Sequence, residues 1–162
     1  MQVGFLNNVK REIEGVERQY KEGMFLFPFL PTLHVTVNEN KKEDRGEREP
    51  DYYINMVKPK NYAGPKTRIG ALWLKKVEKQ DSPKYGQTYL SGNIETPMVQ
   101  GGIIYIYIFK VEAPKEGEEP KKWNYEIVWN PPRQRDENHI PYTETYIPEG
   151  GYEEINDDEQ PF

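Results

Sequence analysis

Cysteine is absent from the 162 residues, which excludes a disulfide framework and any thiolate metal site. Histidine occurs only as His34 and His139, and two histidines alone build no common zinc or iron centre. Long hydrophobic runs are missing too. The longest apolar stretches, Met24–Leu30 and Ile103–Phe109, fall far short of the roughly 18 residues a membrane-spanning helix needs. Near the start, Lys10 and Arg11 sit in a mixed-charge segment instead of preceding an apolar block, so no secretory signal is expected. Together these absences predict a cytoplasmic chain with no membrane role. The content of 35% hydrophobic and 30% charged residues agrees, while 13% aromatics is too rich for a wholly disordered chain. The length favours a single modest core.

Basic residues are missing from one region only. Between Asp136 and Phe162 there is no Lys or Arg but nine acids, so a formal charge of -5 divides into a tail at -9 and a body at +4. Residues 51–111 concentrate the basic excess: nine Lys or Arg against four acids. Acidity held in a separable tail leaves the body free to meet polyanions. The simplest alternative for such a tail is that it keeps the chain in solution.

Signatures of catalysis are also lacking. No Gly-rich phosphate loop and no glycine-flanked serine elbow is present. Pro50-Asp51 opens one nuclease motif, but no Glu-x-Lys follows at a suitable distance. His34 alternates with Leu33 and Val35 as an ordinary strand residue does. The expectation is a protein that is not an enzyme and has no cofactor and no metal.

What is present is patterning. In residues 5–21, Phe5, Leu6, Val9, Ile13, Val16 and Tyr20 recur at helical spacing, which predicts an amphipathic helix ending at Gly23. Its apolar stripe suits packing on its own barrel or pairing of subunits as a homo-oligomer. Leu33, Val35 and Val37 alternate as a strand. Residues 39–50 carry nine charges in twelve positions, a solvated loop or hairpin tip. From Asp51 onward, short strands at Tyr52–Val57, Arg68–Val77, Gln87–Glu95, Ile103–Val111 and Trp123–Trp129 are separated by turn-rich segments. After Asn130-Pro131-Pro132 periodicity stops. The class is mainly β: a barrel or sandwich of five or six strands with an N-terminal helix. The expected divisions are a helix at 1–23, a β-domain at 24–132 and an acidic, disordered tail at 133–162.

Side chains alternate across a strand, so each strand divides into two faces. Ile104, Ile106 and Ile108 form a purely aliphatic face that suits a core, leaving Tyr105, Tyr107 and Phe109 on the other. If 68–77 and 87–95 form a hairpin, Trp73, Lys75, Tyr89 and Asn93 join that second face. Rings interleaved with cations on a sheet surface suit single-stranded nucleic acid, because bases stack on the rings while the cations track phosphates. The competing use is a second buried layer, since a strand covered on both sides has much the same pattern.

The last residues, Ile155-Asn156-Asp157-Asp158-Glu159-Gln160-Pro161-Phe162, resemble the tip of bacterial and phage single-stranded DNA-binding proteins, in which an acidic run precedes a terminal Phe. The resemblance implies that Phe162 and Pro161 enter an apolar pocket on replication, recombination or repair proteins. Asp157, Asp158 and Glu159 would follow a basic rim there, and Gln160 stands where that family usually has an aliphatic residue. The stretch Ile69-Gly70-Ala71-Leu72-Trp73-Leu74-Lys75-Lys76, with Tyr89-Leu90-Ser91-Gly92 after it, is also similar to a short plasmid-associated bacterial family of unknown function. High Lys, Glu, Ile and Tyr add a thermophilic cast to the composition.

The combined expectation is a single-stranded DNA-binding protein with a small barrel like the oligonucleotide-binding fold. Trp73, Tyr89, Tyr105, Tyr107 and Phe109 would stack bases. Lys58, Lys60, Lys66, Arg68, Lys75, Lys76, Lys84 and Lys110 would neutralise phosphates, and the tip would recruit DNA replication and DNA repair partners. The alternatives are an interaction protein whose acidic tail mimics nucleic acid, and a barrel that binds RNA or duplex.

Overall fold

The computed structural model describes residues 1–96 and 102–129. Among the described residues eight strands follow one another: β1 (Gln2–Ile13), β2 (Val16–Phe25), β3 (Leu33–Glu39), β4 (Tyr52–Met56), β5 (Arg68–Lys76), β6 (Thr88–Glu95), β7 (Ile103–Lys110) and β8 (Tyr125–Trp129). Each pairs antiparallel with the next, and β8 returns to β1, closing an up-and-down barrel. Met1–Pro131 form one compact unit. The acidic tail, its tip and His139 lie outside the described residues.

Two expectations need correction. The helix expected over 5–21 is instead the β1–β2 hairpin, and it raises the strand count from the expected five or six to eight. The apolar spacing that mimics a helix is a set of cross-strand pairs: Phe5 opposite Met24, Val9 opposite Tyr20, Ile13 opposite Val16. All are arranged about Glu14-Gly15, both at positive φ (53° and 77°). A two-residue turn with positive φ at both positions matches the twist of a hairpin. Gly15, a mild flaw in a helix, is the residue that makes this turn inexpensive. The remaining six strands fall within about two residues of their expected bounds.

Alternation then builds the interior. Val3, Leu6, Phe25, Val35, Val37, Ile54, Leu72, Leu90, Ile94, Ile104, Ile106, Ile108 and Ile127 face inward and are buried. Each such side chain contributes about 1.5–3 kcal/mol relative to exposure. The aliphatic face of β7 is thus core, and its aromatic face is outside. An apolar interior and an outer surface bearing Glu22, Asn38, Lys75 and Asn93 reverse the polarity of a membrane-spanning barrel. Among the described residues no helix is long and apolar enough to cross a membrane.

Glycines let neighbouring strands approach closely at Gly4, Gly23, Gly70 and Gly92. Gly23 on β2 lies against the Phe5 carbonyl, and Gly92 on β6 against the Ala71 carbonyl, each so close that a Cβ would overlap the oxygen. Glycine at such positions lets a sheet turn a barrel corner. One end of the barrel is closed by Phe27, which stacks between Phe25 (5.7 Å) and Phe29 (5.5 Å), with Trp129 edge-on to Phe29 at 5.2 Å. Lys21 belongs to the other end, its Nζ 4.9 Å from the Tyr125 ring centroid and 5.5 Å from that of Tyr52.

Candidate nucleic-acid interface

The register of β5, β6 and β7 fixes which outward side chains are neighbours. Lys75 pairs with Tyr89, Trp73 with Ser91, and Ser91 with Tyr107; Asn93 pairs with Tyr105. Expected to share a face, these residues do so on the outside of the barrel. Tyr89 stacks on Phe109 with 5.5 Å between centroids and 23° between planes, and Tyr107 lies 6.2 Å from Tyr89. Tyr105 is 61% exposed; Tyr89, Tyr107 and Phe109 are half-buried.

A loop over residues 77–87 forms a wall beside these rings. Its ends are held by Val77 N–H to Gln87 O (2.9 Å) and Gly86 N–H to Val77 O (3.0 Å), with Gly86 at φ 81°. The resulting open groove of about 430 Å³ is floored by Tyr89, Tyr107 and Phe109 and bordered by Lys76, Lys79 and Lys84. The Lys84 ammonium stands 4.6 Å from the Phe109 centroid, a cation–π contact. Among the described residues none of these three lysines forms an ion pair with an acid, although Glu78 also borders the groove. Lys79 was not singled out from the sequence; its place on the same loop as Lys84 was the available signal.

Several expected residues lie elsewhere. Trp73 is half-buried, and its indole N–H donates to the Arg48 carbonyl at 3.0 Å. The β3–β4 connection is exposed, as expected of a solvated loop, and it is also anchored to the barrel. Asp51 Oδ2 accepts the Leu74 N–H at 2.7 Å, Arg45 pairs with Asp51 at 3.1 Å, and Lys42 with Glu49 at 2.6 Å. The Glu49 hydrogen bond and charge raise the Lys42 pKa above its usual value. Lys110 has the register of the inward-facing isoleucines. It lines a depression where Lys84, Lys115 and Lys121 face Glu112, Glu118, Glu119 and Glu126, and which shares Lys84 and Phe109 with the first groove. Arg68 covers the Tyr53 ring at 3.4 Å. Lys58 and Lys66 line a second groove, and Lys60 is exposed on the β4–β5 connection.

Among the described residues no group of three His, Cys, Asp or Glu is arranged to hold a metal ion. His34 is exposed on the outer face of β3, opposite Met24. A search of the curated proteins and of the solved structures returned no significant match. A family model does match residues 30–132, from just before β3 to just after β8, leaving the β1–β2 hairpin outside the match although the barrel closes through it. The chain belongs to this family, described as proteins of unknown function (DUF736).

Proposed function

We propose that the protein binds single-stranded DNA on the outer face of β6 and β7. Bases would stack on Tyr89 and Tyr107, with Tyr105 extending the strip, while Lys76, Lys79 and Lys84 neutralise phosphates alongside. The carrying observation is the open groove in which three rings and three lysines meet beside a single acid, Glu78, with none of the three lysines in an ion pair among the described residues. Every base offers a π-face, so such a platform is tolerant of sequence, and each stacked base contributes about 1–3 kcal/mol. The device is that of the oligonucleotide-binding barrels, carried here by an eight-stranded meander. The same reading assigns Asp157, Asp158, Glu159, Pro161 and Phe162 to docking on DNA replication and repair partners, on the strength of their resemblance to the single-stranded DNA-binding tip.

The test is a fluorescence anisotropy titration of labelled oligo-dT, duplex DNA and RNA with the full chain. Tight oligo-dT binding is expected, with log K falling against log salt by about 0.7 per phosphate neutralised. Absence of oligo-dT binding, or equal affinity for duplex, overturns the proposal.

A further inference from the structure

The second groove lies under the β1–β2 hairpin. Among the described residues, β1 pairs with β8 only over Gln2–Leu6 and β2 with β3 only over Lys21–Phe25, so from Asn8 to Tyr20 the two strands pair with each other alone. This ribbon, about 20 Å long at strand rise, brings Arg18 and Tyr20 to the outer face of β3 and β4. There they border an open groove of about 340 Å³ with Lys41, Lys58 and Lys66. Four cations thus meet one acid, Glu39, and among the described residues none of the four is in an ion pair. The lining is mixed: Ile13, Met56 and Val57 contribute apolar surface, and beside them Asn38 Oδ1 accepts from Thr36 Oγ1 at 3.2 Å and from Asn55 Nδ2 at 3.1 Å.

A single row of paired residues leads from the second groove to Tyr105, which lies two positions along β7 from Tyr107 on the floor of the first. Asn38 pairs with Tyr53, Tyr53 with Ala71, Ala71 with Asn93 and Asn93 with Tyr105. Four interstrand steps of about 4.8 Å make this row about 20 Å long. Along it Arg68 lies over the Tyr53 ring, a further cation on an aromatic surface.

We infer that the ribbon groove is a second, phosphate-gripping subsite for the same polynucleotide, with Arg18, Lys41, Lys58 and Lys66 holding the backbone of a strand whose bases stack on β6 and β7. The inference rests on the proposed single-strand reading. Charge complementarity selects the occupant: four cations that are in no ion pair among the described residues, against one acid, suit phosphodiesters. At about 3.4 Å per stacked nucleotide, a 20 Å row corresponds to about six nucleotides. Shorter strands reach one groove only.

The experiment compares the wild-type chain with the double variant Arg18→Ala, Lys58→Ala, using oligo-dT of about 4 and about 16 nucleotides, the limits of known site sizes. Both substituted residues are exposed, and a thermal melt checks that folding is unchanged. The longer strand is expected to lose about tenfold or more in affinity. Its salt slope should become shallower by about 1.4, with the short strand unaffected. Equal binding of the long strand by both proteins overturns the inference, as does an equal loss for both lengths. Binding of poly-glutamate by the wild type alone, with the long strand unaffected, also overturns it and identifies an acidic peptide as the occupant. Wild-type protein that binds neither strand instead overturns the underlying reading, and this inference with it.

Discussion

Tyr89 stacks on Phe109 across two adjacent strands, outside the barrel, with 5.5 Å between their centroids. Aromatic pairs across neighbouring strands contribute to sheet stability, and on the outer face they also present their rings to solvent. The rings do not seal the interior, which Ile94, Ile106 and Ile108 already fill. That division of labour between the two faces of β6 and β7 is what makes the groove separable from stability by mutation.

Tyr89→Ala is expected to weaken oligo-dT binding by about 1–3 kcal/mol irrespective of sequence, while the folding free energy changes far less than for a core truncation such as Ile106→Ala, about 2–5 kcal/mol. Titration and urea unfolding of both variants check the contrast. Equal losses of stability would mean that Tyr89 is structural.

Glu14→Asn separates a hairpin from a helix at the N-terminus. Glu14 has φ 53°, a conformation that Asn tolerates better than Glu. The substitution should stabilise the protein by up to about 1 kcal/mol, as measured by chemical denaturation. A helix over the same residues would be weakened by it.

Trp73→Phe keeps a ring but removes the indole donor to the Arg48 carbonyl. Amide hydrogen exchange in residues 40–51 is expected to accelerate, and stability to fall by about 1 kcal/mol, the usual net value of one hydrogen bond. Unchanged exchange would show that the loop is held by Asp51 and Arg45 alone.

Stability should decline in strong alkali through Tyr52. Burial, followed by the nearby Glu39 charge, raises its pKa above the ordinary 10.0. The folded state then holds the phenolic proton more tightly than the unfolded state does. The contribution is complete below pH 10.0 and is lost as pH rises through the folded-state value. Tyr52→Phe should flatten this alkaline fall in a pH series of thermal melts, and an unaltered profile would assign the fall to other groups.

Much of this architecture was legible beforehand, and the reasons are local. Strands β3 to β8 announced themselves because period-two alternation is set by the backbone and survives any packing. The division of β7 into Ile104, Ile106, Ile108 and Tyr105, Tyr107, Phe109 identified the core face for the same reason. The hairpin was misread because residues paired about a tight turn are separated along the chain by distances that also fit a helical repeat. Reading 16–20 as a strand puts Arg18 and Tyr20 on one face; reading it as a helix hides the ribbon groove. Lys110 follows the inward parity of its strand, so it borders the depression beyond Phe109 and not the groove floored by the three rings.

Sequence by itself determined the alternation of β3 to β8 and the segregation of charge, because each depends only on near neighbours along the chain. Tertiary structure alone decided that eight strands close into one barrel, that Trp73 is covered by the β3–β4 loop, and that Lys58, Lys66 and Arg18 meet in one groove. Those outcomes depend on register and closure between segments far apart in sequence. A shift of one residue would exchange every inward and outward side chain of a strand, and only the assembled sheet chooses between the two.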